Sequence, residues 1–333
     1  MKTLLLTTGY ISHCAVAALE VGYDIVILDN LSNSDSDVIQ KIEQIAGSSS
    51  LSNGRIEKSS IKFYQDIRNS ADLEKVFSEN KIDTVLHFAG LKAVESCDKP
   101  FMYYENNVET LRLTESMEKH GVKNIVFSSS ATVYDPSALS PLREDSPTNT
   151  SNPYGTSKFI IENILRDLAT HQLKVANLRY FNPIGAHSSG LIGENPRDIP
   201  NNLLPYIMKV ASELSQLKVF GDDYETVDGT VRDYIHVEDL AAHIAALEWL
   251  ENNKTQIFET FNLTTGSSVM EMIEITEEVT GTALPYTVSN RRPDIATAYC
   301  NPEKALKILA WKTTKTIQES ITDSWNYIEK QKS

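Results

Sequence analysis

Tyr154 and Lys158 are the residues whose types and spacing could do chemistry. Four apart in Tyr154-Gly155-Thr156-Ser157-Lys158, they share one face of a helix that Pro153 opens. A phenol ordinarily titrates at about 10, too high for a base at neutral pH. An ammonium beside it favours the phenolate and lowers that value. The spacing alone arises often by chance, and it equally describes a surface tyrosine and lysine on an amphipathic helix. The upstream run Phe127-Ser128-Ser129-Ser130-Ala131-Thr132-Val133-Tyr134 makes the signal more specific. It follows an apolar strand, so Ser130 falls at a strand end, where it can hold a substrate hydroxyl against the phenol.

The elements that must position these groups are short apolar runs alternating with helical stretches. Leu4–Leu6, Ile25–Leu28, Ile61–Tyr64, Val85–Phe88, Ile125–Phe127 and Val175–Leu178 read as buried strands. Helical patterns lie near Cys14–Val21, Val38–Ala46, Ala71–Asn80, Tyr104–Lys119 and Tyr154–Thr170. This alternation predicts an α/β chain: a Rossmann-type doubly wound parallel sheet with a smaller α/β substrate domain. Such a sheet takes its ligand at the carboxyl ends of the strands, where the winding reverses. Beyond about residue 182 the alternation fades. Residues 1–182 are expected to form a nucleotide-binding domain interleaved with later segments, and 183–333 the substrate domain.

Asp29 closes the second strand, about 20 residues past the first turn, where a carboxylate can accept from both ribose hydroxyls of a dinucleotide. Its charge would repel a 2′-phosphate, which favours NAD over NADP. A positively charged nicotinamide would further favour the Tyr154 phenolate. Position alone is equally compatible with an aspartate capping a turn. The first turn, Thr7-Thr8-Gly9-Tyr10-Ile11-Ser12-His13, has one glycine where a dinucleotide turn needs several.

Composition narrows the partners. Asp plus Glu is 45 against 31 for Lys plus Arg, a net charge of −14 that repels phosphate backbones and anionic lipid. No nucleic acid or membrane partner is expected. Three cysteines, Cys14, Cys97 and Cys300, show no paired spacing, which fits a reducing, cytoplasmic setting. The seven histidines show no metal-ligand spacing, so no metal is expected.

Several longer passages resemble the UDP-glucose 4-epimerase family of extended short-chain dehydrogenases/reductases. They are Leu28 to Ser34, His87 to Val94, Phe127 to Tyr134, Arg179 to Pro183, Ile199 to Tyr206 and Arg232 to Val237. The resemblance runs over nearly the whole chain. It implies a tightly held NAD lined by Tyr10, Ile11, Asp29, Asn30, Leu31, Ser32, Asn33, Ser34, Asp66, Ile67, Phe88, Ala89, Gly90, Leu91, Lys92, Asn106, Lys158 and Phe181. It implies that Tyr154 is the base and that Ser130 meets the sugar. Asn182, Asn202, Leu203, Phe220, Arg232, Arg292 and Asp294 would hold the UDP part. Arginine suits a diphosphate because its planar fork makes paired, charge-assisted bonds. Ala298 matches the position that gates the sugar pocket, and its small size leaves room for an N-acetyl group. A UDP-sugar substrate, inversion at C4 through a transient 4-keto sugar, and a homodimer built from the helices near Tyr104–Lys119 and Tyr154–Thr170 are further implications.

The chain departs from the family pattern by lacking single glycines at Thr7–Thr8, Ile11–Ser12, Val94–Glu95, Glu109–Thr110, Tyr134–Asp135, Thr230–Val231, Leu263–Thr264 and Pro293–Asp294. A deletion inside a helix, as at Glu109–Thr110, turns every later side chain by roughly 100°. Missing residues at these junctions predict Cα separations of roughly 5–7 Å in place of about 3.8 Å. Two competing functions remain. Nucleotide-sugar dehydratases and decarboxylases usually carry acidic residues where Ser130-Ala131-Thr132 stand. A non-catalytic UDP-sugar-binding protein with a defective NAD loop would keep the fold and lose the cofactor.

Overall fold

The computed structural model describes residues 2–7, 11–30, 37–48, 61–64, 67–88, 90, 99–194, 202–213, 215–220, 230–255, 257–290 and 296–332. The first part alternates strictly: β1 (Thr3–Thr7), α1 (Ile11–Glu20), β2 (Asp24–Leu28), α2 (Val38–Ser48), β3 (Lys62–Tyr64), α3 (Ser70–Glu79), β4 (Thr84–His87), α4 (Pro100–Lys119), β5 (Asn124–Ser130), α5 (Pro153–Ala169) and β6 (Lys174–Tyr180). The rest comprises β7 (Asn182–Ile184), α6 (Leu203–Glu213), β8 (Leu217–Phe220), β9 (Val231–His236), α7 (Ala242–Asn252), β10 (Ile257–Leu263), β11 (Thr265–Ser268), α8 (Val269–Thr280), β12 (Tyr286–Ser289), β13 (Thr297–Ala298), α9 (Glu303–Leu309) and α10 (Ile317–Lys332).

The central strands carry apolar residues on both faces because both sheet faces are covered. Leu4, Leu6, Ile25, Ile27, Leu86 and Val126 pack with Cys14, Ala15 and Ala18 of α1 and Ala246 and Leu250 of α7. Their neighbours Leu5, Val26, Leu28, Val85, Ile125 and Phe127 face the other way, onto Leu73 and Val76 of α3, Leu113 of α4 and Ile161 of α5. The strands hydrogen-bond in the order β10-β6-β5-β4-β1-β2-β3, every neighbouring pair parallel. The winding reverses between β1 and β4, which places the ligand crevice at their carboxyl ends.

The sheet has one strand more than the six read from the sequence. β10 comes from the second half of the chain and lies beside β6, in register from Ile257↔Lys174 to Leu263↔Tyr180. Glu259, Thr260 and Asn262 interrupt its apolar pattern, so periodicity hides it. A second core gathers Leu204, Ile207 and Met208 of α6, Tyr234 of β9, Met272 of α8 and Ile321 of α10. Beside it β9 carries β11 and β13, with β7 also on β9, while β8 pairs with β12.

The expected stretched junctions are not found at two sites within helices. α1 runs unbroken through Ile11–Ser12 and α4 through Glu109–Thr110. Buried positions Tyr103, Asn106, Asn107, Thr110, Leu113, Thr114 and Met117 keep one helical period across the second junction. The junctions Thr7–Thr8, Val94–Glu95 and Pro293–Asp294 fall on or border residues outside those described. Among the described residues no helix is long and apolar enough to cross a membrane.

Candidate active site

β5 ends on Ser130, which also caps a short 3-10 turn, Ala131–Val133. The Ser130 hydroxyl oxygen accepts from the Thr132 amide at 3.3 Å and from Thr132 Oγ1 at 3.0 Å. These bonds fix its side chain at the carboxyl edge of the sheet. α5 starts opposite. Asn152 caps it by accepting from the Gly155 amide at 2.8 Å, and Pro153 supplies the preset first turn. Gly155 is required there, since a Cβ would meet the Thr132 carbonyl oxygen at 2.5 Å. The start of the helix therefore lies directly against the turn that follows Ser130.

Tyr154 is half-buried, its ring 6.3 Å from that of Tyr103 on α4. Lys158 is buried. Its ammonium donates to the Ser128 carbonyl at 2.9 Å and stands 4.9 Å over the Phe127 ring. Burial lowers its pKa to about 8, against the opposing pull of Glu109 and Glu162. Asn107 Nδ2 donates to the Ser157 carbonyl at 3.0 Å and ties α4 to α5. Ser130 thus ends the strand against which the start of the helix bearing Tyr154 and Lys158 is packed.

His87 is buried at the end of β4, the strand beside β5. Thr110 Oγ1 gives its proton to the Asn106 carbonyl at 2.8 Å, so His87 Nε2 must donate to Thr110 Oγ1 at 2.9 Å. The other nitrogen, Nδ1, then accepts from Thr7 Oγ1 at 2.8 Å. Burial, reinforced by the Lys158 charge, lowers this histidine to about 3 and keeps it neutral. Asp29 and Asn30 directly follow β2, half-buried and exposed respectively. Phe88 follows β4 with its ring 4.2 Å from that of His243. Gly90, at φ +133°, lies so close to Asn106 that a Cβ would meet its amide at 2.9 Å. Ile67 is buried after β3. Phe181 packs beside Val133 and Tyr134 in the small cluster under the serine turn.

The residues expected to meet the substrate lie on or near the second sheet. Ala298 of β13 pairs with Arg232 of β9. The Arg232 guanidinium donates to the Val231 carbonyl at 2.8 Å. Asn182 on β7 donates from Nδ2 to the Asp233 carbonyl at 2.7 Å. Asn202 donates to Glu194 Oε1 at 2.9 Å, and Leu203 opens α6. Tyr10, Leu31, Ser32, Asn33, Ser34, Asp66, Ala89, Leu91, Lys92, Arg292 and Asp294 lie outside the described residues, as do the side chains of Ile11 and Phe220.

The pattern of the NAD dependent epimerase/dehydratase family matches residues 7–263. The chain belongs to that family. It is 49% identical over 331 residues to a UDP-glucose 4-epimerase of Bacillus subtilis (strain 168), covering 96% of this chain and 94% of the relative. A UDP-glucose 4-epimerase from Bifidobacterium longum, crystallised in complex with NAD+ and UDP, matches with a TM-score of 0.90 at 44% identity over 99% of each chain. One from Stenotrophomonas maltophila, with bound NAD and formylated UDP-arabinopyranose, gives 0.92 at 41% identity, covering 100% of this chain and 99% of the other.

Three charged residues beside these groups were not among those expected to form the site. Glu162, Arg179 and Asp233 are buried charges 17 to 67 residues from their partners. Asp233 accepts from the Cys300 amide at 2.5 Å and is pushed up to about 7 by burial, partly offset by that bond. The bond anchors the segment that carries Ala298. Polarity inside a strand was the available clue, in Asn177, Arg179 and Asp233, but it names no partner.

Among the described residues, His236, Glu238 and Asp323 bring three possible metal-ligating atoms within 4.8 Å of one another. The Glu238 amide donates to His236 Nδ1 at 3.0 Å, so the neutral ring carries its proton on Nε2, facing Asp323 Oδ2 at 3.2 Å. Lys315 Nζ stands 3.0 Å from Glu238 and 3.4 Å from Asp323. The donor set suits that ammonium and not a metal ion, which would need a deprotonated Nε2.

Proposed function

We propose that this protein inverts C4 of a UDP-hexose, interconverting UDP-galactose and UDP-glucose, with NAD as its cofactor. The observation that carries the proposal is the packing of the helix that bears Tyr154 and Lys158 against the strand end that bears Ser130, in a chain that matches UDP-glucose 4-epimerases over nearly its whole length.

The donor set fits a dinucleotide. Asp29 offers an acceptor-only carboxylate to a ribose diol at the end of β2. The buried Lys158 ammonium lies at the end of β5, where a second ribose and the nicotinamide would come. We assign cofactor contacts to these residues and to Tyr10, Ile11, Asn30 to Ser34, Asp66, Ile67, Phe88 to Lys92, Asn106 and Phe181. When bound, NAD accepts the C4 hydride and returns it to the opposite face of the 4-keto sugar. Tyr154 takes the proton of the 4-hydroxyl as phenolate and gives it back after the sugar has turned. Ser130 holds the oxygen in line with the phenol. Lys158 stabilises the phenolate by its charge.

Affinity comes mainly from UDP, so the sugar can rotate while tethered. Asn182, Asn202, Leu203, Phe220, Arg232, Arg292 and Asp294 are assigned to that grip. In this reading residues 1–182, joined by β10, bind NAD and 183–333 bind the UDP-sugar. Ala298, level with Arg232, leaves room for an N-acetyl group, so UDP-GalNAc and UDP-GlcNAc are also substrates. The working unit is a homodimer. α4 exposes Phe101, Tyr104, Val108 and Leu111, and α5 exposes Ile160, an apolar face of the kind that partners cover.

The deciding experiment is conversion of UDP-galactose to UDP-glucose by purified protein without added NAD, with fluorescence to detect bound nicotinamide. Protein that binds a UDP-sugar but neither holds nicotinamide nor turns over would be a non-catalytic binder.

A further inference from the structure

The catalytic helix touches β5 and the turn that follows it through Gly155, Lys158 and Glu162. Gly155 lies against the Thr132 carbonyl, Lys158 Nζ reaches the Ser128 carbonyl, and Glu162 Oε1 accepts from Ser129 Oγ at 2.5 Å. These contacts bracket Ser130 on both sides. The Gly155 contact limits approach without directing it, and the Lys158 contact ends a flexible chain. Glu162 differs, because its carboxylate is itself held.

Glu162 is completely buried, four residues beyond Lys158 and eight beyond Tyr154 on the same helix. Arg179 of β6 grips both its oxygens, with Nε to Oε1 at 3.0 Å and Nη2 to Oε2 at 2.7 Å. Burial pushes the Glu162 carboxyl up, but Arg179 and Ser129 hold it below the usual carboxylate range. Arg179 is in turn fixed. Its Nη1 donates to the Glu144 carbonyl at 3.2 Å, and its guanidinium lies 4.7 Å over the Tyr134 ring. The Tyr134 hydroxyl donates to Asn262 Oδ1 of β10 at 2.7 Å. One carboxylate therefore joins α5, β5 and β6 directly and β10 through its arginine.

Well-packed apolar residues can replace a buried ion pair without loss of stability. Stability alone therefore does not require this charge, whereas directional bonds at the base of a catalytic serine give orientation. We propose that Glu162, gripped by Arg179, is a positioning residue that sets the helix bearing Tyr154 and Lys158 in register with the strand end bearing Ser130. The role rests on the epimerase reading of those three groups.

The test is the double variant Glu162→Leu/Arg179→Met, which removes the bonds and keeps an apolar core. Its expected kcat for UDP-galactose falls roughly tenfold to a hundredfold. KM stays near the wild-type value, because UDP supplies the grip, and the melting temperature does not fall. A folded double variant with wild-type kcat overturns the proposal. If that variant does not fold, Ser129→Ala decides. It leaves the ion pair intact, and its kcat should fall several-fold at unchanged melting temperature, whereas an unchanged kcat overturns the proposal. Wild-type protein without turnover would instead sink the epimerase reading. Positioning is then read from crystal structures of the variant that folds. Displacement of Lys158 Nζ from the Ser128 carbonyl supports it, and an unmoved contact overturns it.

Discussion

Gly155 and Thr132 approach so closely that any side chain at position 155 would strike the Thr132 carbonyl, 2.5 Å from the place of its Cβ. That contact sets how near the start of α5 comes to Ser130. Gly155→Ala must push the helix outward or twist the turn. Overpacking of this kind costs about 1–3 kcal/mol, visible as a lower melting temperature. Turnover should drop at least about tenfold, since small misplacements at a reacting centre are costly. An alanine variant with normal kcat would show that the close approach is dispensable.

Lys158 is expected to give the reaction an alkaline limit. Burial holds its ammonium down to about 8, with Glu109 and Glu162 pulling the other way. Above that pH the lysine becomes neutral and no longer favours the Tyr154 phenolate. The kcat profile should therefore bend downward above about pH 8 in wild-type protein. Lys158→Met should lose roughly a hundredfold or more in kcat and lack that bend. A wild-type profile flat to strongly alkaline pH would contradict this role.

Glu238 ties folding to acid. Burial pushes its carboxyl up, but the Ser188 amide at 2.7 Å and Lys315 hold it down to about 2, from an ordinary 4.5. The folded value lies below the unfolded one, so the stabilisation is complete above about 4.5 and is lost as pH falls towards 2. Partial exposure screens the interaction, which leaves an effect of about 2 kcal/mol at most. Urea unfolding at successive pH values should show wild-type protein losing more stability than Glu238→Gln over this range. Parallel losses would contradict the assignment.

Ala298→Tyr should narrow the sugar pocket. The expected result is a loss of at least about tenfold in kcat/KM for UDP-GlcNAc, while UDP-glucose changes little, since a steric clash removes only the larger substrate. Competitive assays of the two sugars measure this ratio directly. Equal effects on both would show that position 298 does not gate the pocket.

Leu111, 46% exposed on α4, lies on the apolar face assigned to the dimer. Leu111→Glu would bury a charge there and should shift the protein towards monomer in sedimentation or light scattering. A dimer unaffected by the change would place the interface elsewhere.

Much of this molecule was legible along the chain. Runs such as Leu4–Leu6 and Ile125–Phe127 specify strands buried on both faces, because no other arrangement buries consecutive apolar residues in so short an element. The Tyr154–Lys158 spacing specifies one helix face, and the residues of β5 place Ser130 at its end. β10 escaped this reading because Glu259, Thr260 and Asn262 break its pattern. Asn262 is buried all the same, and its amide oxygen takes the Tyr134 hydroxyl from 128 residues away.

The sequence by itself therefore determined the class of sheet, the helix that carries Tyr154 and Lys158, and the strand end that carries Ser130. All three follow from periodicity, which local geometry imposes on neighbouring residues. Only the tertiary structure decided that Glu162 meets Arg179 and Ser129, that Asp233 anchors the strand behind Ala298, and that β10 completes the sheet. Periodicity tells which way a side chain faces, whereas the partner waiting there is set by how distant strands pack.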